Sequence, residues 1–389
     1  MANPRVLLIL WDYPFDCRKA PVSRAYHLFK EIRRKIPETY LIFAGGDTNQ
    51  AEDENIVMLG CKREASQNTI KQALYSLRAC LQTLRFIYSQ KIDTVIMRGV
   101  GTAFLIPFLQ ILGIRVFYDF HGFLYKELEM KKRSRMVIMG VGQLERYLIR
   151  SSDGIVGVTN EITQYKVSRS SDPKKPCITI GNGFDVASVS VRKPLPFAGN
   201  ELRLLCVANV SRWHGLDRVL HGLAVYSGTF EVTLHVAGDG PELPSIRQLA
   251  EDLGIVDKVI FHGFMSGREL DSLFDQCHIA VGSLGVHRIG LSEASTLKAR
   301  EYCARGIPFI YGIPDPDFSN NFPDLLYLPA DETSVDVKEV IKFASETYAD
   351  PYHPQKMRCY AMEHLDWSVK AKGLEDILKV REDKCGDFA

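Results

Sequence analysis

The sequence predicts an α/β chain of two domains, each built from βα units around a mostly parallel sheet. Three observations carry this. Uninterrupted apolar runs recur through the chain, beginning with Val6–Trp11, as expected of strands covered on both faces. Helix-periodic stretches lie between them, which is the alternation of a parallel sheet. The alternation lapses over residues 186–200 (VASVSVRKPLPFAGN), with two prolines and little periodicity, and restarts at Leu202. At 389 residues the chain exceeds one average domain. Residues 1–185 therefore read as a first domain, 186–200 as a linker and 201–365 as a second domain, with a terminal helical segment from about 366 to 389.

In the first half, strands are expected at Val6–Trp11, Tyr40–Ala44, Ile56–Leu59, Thr94–Met97, Val116–Phe120, Gly154–Val158 and Cys177–Ile180. The clearest helices are Val22–Lys35 and Gln67–Ser89. Ligands of such sheets sit beyond the C-terminal strand ends, so Asp12–Arg18, Arg98-Gly99 and His121-Gly122 form the candidate rim. His121 is either a structural hydrogen-bonding group or a polar contact to substrate. Glu127 and Glu145 lie in helical context, where a helix ion pair is the plain explanation.

The second half repeats the pattern. Strands Leu202–Asn209, Val232–Ala237, Val259–Gly263 and His278–Ser283 end in turns, among them Val210–Gly215 and Gly238–Glu242. Glycine turns entering helices suit phosphates. Neither GxGxxG nor GxxxxGK[ST] occurs, which removes the nicotinamide and P-loop readings. The stretch Arg288–Gly306 (RIGLSEASTLKAREYCARG) is the centre of this half. Ser295 or Thr296 is expected to cap a helix that runs through Lys298, Arg300 and Glu301 and stops at Gly306 before Pro308. Glu293 and Glu301 frame this helix start with seven residues between them. Alternatively, Glu301 pairs with Lys298 or Arg305 on a solvated face. Asp315-Pro316-Asp317 has the form of a metal-binding pair, but its proline and the lack of further ligands fit a plain turn. Helical stretches are expected at Val335–Tyr348, Gln355–Leu365 and Val369–Val380.

Composition narrows the classes. Lys and Arg (48) balance Asp and Glu (47), which gives no support for a nucleic-acid partner. Nine scattered cysteines form no CxxC, arguing for a reducing compartment and against a disulfide frame or zinc site. The N-terminus lacks the pattern of a secretory leader, and the apolar run Thr102–Ile114 is too short to span a bilayer. A cytoplasmic protein is expected, with membrane contact only at a surface. The basic run Lys131–Arg135 ahead of Met136–Met139 could make such a contact; the plainer expectation is a solvated turn before a buried helix.

In order, these features resemble the GT-B glycosyltransferases, in detail their family 4 (group 1) type. The family's Glu-x7-Glu is matched by Glu293 and Glu301, and its Lys-Gly-x-Asp by His214-Gly215-Leu216-Asp217. Its Gly-x-Gly-Pro is Gly238 to Pro241. Its Pro-Asn-Gly-hydrophobic-Asp step is Gly181 to Asp185, with Gly181 for proline. Its closing helix, which crosses back to the first domain, falls near Trp367. The WHGxDR turn and LKxREY helix are similar to a bacterial subgroup that builds surface polysaccharides. Two departures stand out. Asn209 and His214 occupy the positions of the family's diphosphate-clamping Arg and Lys, and Ala294-Ser295-Thr296 replaces its Gly-Phe-Gly.

The resemblance implies two Rossmann-like domains facing across a cleft. It also implies retaining transfer of a hexose, without metal or cofactor, from a UDP- or GDP-type sugar to a glycan or lipid-linked acceptor. Peripheral contact with the inner membrane would be compatible with this. Glu301 would bind the ribose and Glu293 the donor sugar or cationic centre, with His121 near sugar and acceptor. The donor would further meet Gly238, Gly240, Ser295, Thr296 and Leu297. Arg212, Arg288, Lys298 and a protonated His214 are the candidates to replace the missing cations. Asp12, Arg18 and Arg24 would face the acceptor. A sugar-nucleotide epimerase and a non-catalytic nucleotide-sugar-binding module of the same fold are the alternatives.

Overall fold

The structure, a computed structural model, describes residues 4–11, 15–16, 20–43, 53–59, 69–130 and 132–379. Its contacts divide the chain into two units. One holds the residues up to Gly181 together with those from Lys370 onward, and the other holds Asn182–Val369.

The first unit is a parallel seven-stranded sheet. Its strands are β1 (Val6–Leu10), β2 (Thr39–Phe43), β3 (Ile56–Met58), β4 (Thr94–Arg98), β5 (Arg115–Phe120), β6 (Gly154–Gly157) and β7 (Cys177–Thr179). They lie in the order β3-β2-β1-β4-β5-β6-β7. Every residue of β1 is buried, as its unbroken apolar run requires. The order reverses between β1 and β4, so the strand ends there open a crevice. The terminal helix Leu374–Lys379 packs on β7 and on the helix Ala20–Lys35.

The second unit repeats the topology with six parallel strands: β8 (Glu201–Val207), β9 (Glu231–Ala237), β10 (Val259–Gly263), β11 (Ile279–Val281), β12 (Phe309–Tyr311) and β13 (Leu325–Tyr327). The order is β10-β9-β8-β11-β12-β13, with its reversal between β8 and β11. Successive strand residues serve opposite faces. Leu204 joins the core around Val219 and Leu223, while Leu205 joins the core around Phe274 and Tyr302. The edge strand β13 was not expected. Three residues between Asp324 and Leu328 are too few to show a period.

Two stretches differ from their plain sequence reading. Residues 186–200 have little regular structure but are fastened into the second unit by Arg192. Its buried guanidinium donates to the carbonyls of Gly306 (2.8 Å) and Cys277 (2.6 Å) and to Tyr348 Oη (2.9 Å). The helix Arg135–Ser151 starts at Ser134, whose hydroxyl accepts from Val137 N, but its first turns are not buried: Met136 is 81% exposed. Lys131 lies outside the described residues.

Three buried histidines of the second unit are held neutral. Burial pushes His235, His278 and His353 each down to about 4. His235 Nδ1 and His262 Nε2 share one hydrogen bond at 3.0 Å between stacked rings. In the unfolded chain these rings take protons near pH ~6.5, which the folded chain refuses until a lower pH. Unfolding therefore binds protons between those values, and stability falls as pH falls. Melts followed by calorimetry at pH ~7 and ~5 should show the transition of this unit drop by roughly 5 °C or more. A flat melting temperature would contradict the buried neutral rings.

Candidate functional site

Three turns meet at the strand ends where the order of the second sheet reverses. The turn after β8 accepts from the turn after β11: Leu284 N donates to His214 O (3.0 Å) and Gly285 N to Trp213 O (3.1 Å). The turn after β9 nests on the first, with Val210 N donating to Asp239 O at 2.5 Å. That nesting explains both glycines expected at the donor. A Cβ on Gly238 would lie 1.9 Å from Ala208 O, and one on Gly240 would lie 2.3 Å from Val210 N. Both also sit at positive φ, 128° and 142°.

The helix Leu297–Arg305 starts beside these turns, with Thr296 at its N-cap and Gly306 at φ 77° closing it. Its cap differs from expectation. Ser295 Oγ accepts from Asn182 N (2.7 Å) and Thr296 Oγ1 accepts from Tyr311 Oη (3.0 Å), so no side chain caps the helix. No acid lies in its first turn. The positive end of the helix is thus left for another acceptor.

The cations separate clearly. Arg288 is committed: its guanidinium grips Asp217 (3.0 and 2.7 Å) and Glu332 (2.9 and 2.5 Å) and donates to Arg212 O. Two carboxylates neutralise it, which removes it as a fixed counter-charge for a diphosphate. His214 is neutral, not protonated. Its Nδ1 accepts from Ser211 N at 3.0 Å, and burial, then Lys298, holds its pKa well below the usual range. It offers Nε2–H as a donor without charge. Lys298 is the opposite case. Its Nζ is sealed from solvent with no hydrogen-bond partner, and burial lowers its pKa. It lies close enough to His214 and Cys206 to perturb both. Arg212 is exposed on the turn itself.

Glu293 sits half-buried in the loop before the helix. Glu301 Oε1 accepts from Arg305 Nε at 2.9 Å, so the plain helix pair does form, with 22% of the Glu301 side chain exposed. A cavity of about 660 Å³ opens beside the turn after β8, lined by Asp217, Glu242 and Asp252 and by Arg212 and Arg288, the last already paired with Asp217. The start of the Leu297–Arg305 helix, with no acid in its first turn, is the more anion-suited feature. Asp315 and Asp317 both bind the buried Arg300. They anchor an arginine, and among the described residues no group of three His, Cys, Asp or Glu could hold a metal.

In the first unit, β5 ends in a buried polar cluster. Asp119, 6% exposed, accepts from Arg24 Nε (3.2 Å) and Nη2 (3.1 Å) and meets His121 Nε2 at 2.8 Å. Burial acts to raise the Asp119 pKa, but Arg24, His121 and Arg98 outweigh it and hold the acid ionised. His121 is pushed down to about 3 by burial and by Arg98, so its ring is neutral. The proton must then sit on Nε2, facing the carboxylate, which leaves Nδ1 an acceptor. Arg24 does not serve as an acceptor-binding group. It is fully buried, and its guanidinium is spent on Asp119 and on Gly181 O. Asp12 and Arg18 lie outside the described residues. Glu145 is buried and bound by Lys166 Nζ at 2.6 Å, a structural pair between two helices. Asp119 is the partner of His121 that the sequence reading missed. Its signal was there: a carboxylate inside the apolar run RVFYDF needs a cation.

Two parallel sheets of this strand order, with a helix start presented at the second reversal, define a protein of the GT-B fold. Residues 190–312 match the family model described as glycosyl transferases group 1. No curated protein matches the chain. Among solved structures it is similar to a sucrose-phosphate synthase from Thermosynechococcus elongatus (TM-score 0.72, 14% identity, covering 97% of this chain and 98% of that one). It is also similar to HepE of Anabaena in complex with UDP-glucose (TM-score 0.67, 12% identity, 96% and 98%). A third is WaaG, a glycosyltransferase involved in lipopolysaccharide biosynthesis (TM-score 0.65, 12% identity, 96% and 99%). At these identities the likeness is one of fold.

The nested turns make a contrast testable by denaturant unfolding. Gly240→Ala should cost about 2–4 kcal/mol through collision with the Val210 backbone and positive-φ strain. Gly254→Ala, at φ 65° with nothing within 4 Å of its Cβ, should cost only the strain, about 1 kcal/mol. Equal losses would rule out the nesting as the reason for Gly240.

Proposed function

We propose that the chain moves a hexose, with retention at the anomeric carbon and without a metal, from a UDP- or GDP-type sugar to a glycan or lipid-linked saccharide in the building of a surface polysaccharide. One observation carries the donor assignment: an uncapped helix start beside a buried, unpartnered ammonium, Lys298. A diphosphate supplies what both lack. Its oxygens would accept from the N–H groups of Thr296, Leu297 and Lys298, while Lys298 Nζ takes the charge that the family places on the residues replaced here by Asn209 and His214. His214 Nε2–H and Arg212 would add donors. Such fixed donors stabilise the charge that grows on the leaving diphosphate as the glycosidic bond breaks.

Glu301 would receive the ribose hydroxyls and Glu293 would face the donor sugar. His121, held by Asp119, would accept from a sugar hydroxyl at Nδ1. The bound ligand of HepE, UDP-glucose, makes uridine the first base to try. The involvement of WaaG in lipopolysaccharide biosynthesis supports the surface-polysaccharide assignment.

Thermal shifts with UDP-glucose, UDP-N-acetylglucosamine and GDP-mannose test the donor site, since a ligand at ~100 Kd stabilises the folded state by about 2.7 kcal/mol. Lys298→Met should raise the melting temperature of the free protein, because an unpaired buried charge is removed. It should also weaken binding of the diphosphate roughly tenfold or more while sparing the bare nucleoside. Glu301→Gln should weaken nucleoside and nucleotide alike, and Glu293→Gln should bind but turn over slowly. Wild-type affinity in both Lys298→Met and Glu301→Gln would sink the assignment. Incubation without acceptor distinguishes transfer from epimerisation, which alone would convert the sugar.

A further inference from the structure

Glu145, the buried acid of the first unit, also lines a cavity of about 290 Å³ among the helices Leu124–Met130, Arg135–Ser151 and Asn160–Ser168. That volume is near the lower bound of ligand pockets and suits a single small ligand. The middle helix supplies one face of it, since Gly142, Glu145 and Arg146 fall at i, i+3 and i+4. The first helix supplies Tyr125, and the third supplies Tyr165 with Arg169 at its C-cap.

These side chains are held in place. Buried Phe123 packs on Tyr165 (ring centroids 4.6 Å apart) and on Tyr125 (6.2 Å). The Arg169 guanidinium lies over the Tyr165 ring at 5.0 Å. Glu145 Oε1 is taken by the fully buried Lys166, whose ammonium lies over the rings of Phe120 and Phe123. Among the described residues no donor reaches Glu145 Oε2, and no carboxylate pairs with Arg146 or Arg169. Glu127 and Glu129 stand on the same helix as Tyr125 but do not line the cavity. With Lys166 offsetting Glu145, the lining keeps two positive charges beside one open acceptor oxygen.

Gly142 adds an independent observation. A glycine inside a helix weakens it relative to alanine. Packing does not require this one, because a Cβ there would meet nothing within 4 Å. It leaves bare backbone at the cavity wall, which a ligand can approach closely. We propose that the cavity holds one acidic sugar, a uronate or a sugar phosphate. Its anionic group would pair with Arg146 and Arg169, its hydroxyls would donate to Glu145 Oε2, and its C–H face would lie on the tyrosines. An anion alone needs only the guanidinia. The open carboxylate oxygen and the two rings call for hydroxyl donors and an apolar face on the same ligand. That the sugar belongs to the acceptor glycan rests on the transferase reading; the site itself does not.

Saturation-transfer NMR on the full chain, with no donor present, tests it with glucuronate, glucose 1-phosphate, glucose and glycerol 3-phosphate. The last carries the anion and hydroxyls of a lipid headgroup without a ring. Both acidic sugars should bind saturably, with glucose and glycerol 3-phosphate roughly tenfold weaker or more. Excess UDP should not displace the acidic sugars, which keeps this site apart from the donor's. Gly142→Leu should abolish binding by filling the cavity, and Arg146→Met with Arg169→Met should weaken it roughly tenfold or more. Gly140→Leu, on the same helix but outside the lining, should leave binding unchanged. Leucine favours a helix over glycine and neither position has a neighbour within 4 Å, so neither variant should melt below the wild type. Turnover enters none of these readouts, so they stand or fall apart from the donor reading. The proposal is overturned by any of four results: no saturable binding, displacement by UDP, equal binding of glucose or glycerol 3-phosphate, or binding that Gly142→Leu leaves untouched.

Discussion

Arg300 fixes the geometry on which the donor side depends. Its fully buried guanidinium reaches Asp315 and Asp317, the carbonyl of Asn182 (2.9 Å) and that of Thr296 (3.3 Å). One side chain thereby ties the start of the Leu297–Arg305 helix to the turn after β12 and to the Gly181–Asp185 step. Asn182 returns the connection through Ser295 Oγ and Ser295 O. A buried charge is tolerable only when so fully paired, and the pairing makes the helix start rigid. Preorganised donors need that rigidity, because a donor that must move to meet charge loses much of its value.

Lys298, two residues before Arg300, is the counterpart. The same few residues hold one cation with every partner supplied and one with none. Folding alone has no use for the second, whose burial weakens the free protein. Such local costs persist where a ligand repays them. The first unit balances itself differently. There Asp119 is saturated by Arg24 and His121, and its ionised state decides which histidine nitrogen is protonated. A carboxylate that touches nothing outside the protein can thus set what the histidine offers.

The sheets were legible in the sequence because each strand is covered on both faces and so reads as an apolar run; β13 escaped because three residues carry no period. The two glutamates, the paired glycines and the helix start were legible as spacing. The roles of the cations were not. Arg24, Arg288 and Lys298 look alike in a sequence, yet one is spent on a buried acid, one is neutralised by two acids, and one is left unpaired. Only the partners distinguish them, and those lie 95, 71 and 44 residues away where they exist. The hydroxyls of Ser295 and Thr296 were expected to cap, and they instead bind Asn182 and Tyr311, tertiary partners that override a local preference. The basic run at 132–135 suggested a buried helix to follow, whereas burial depends on what packs above it.

The first unit is not continuous in the chain. The helix Leu374–Lys379 covers β7 and the Ala20–Lys35 helix, and Arg115 reaches the carbonyl of Leu378. During synthesis those surfaces emerge early and wait for their cover until the whole of Asn182–Val369 has been made. The second unit, by contrast, is contiguous and can close on itself as it leaves the ribosome. The part of the protein that begins first therefore finishes last, and its sheet spends that interval with an apolar edge that chaperones or neighbouring chains can reach.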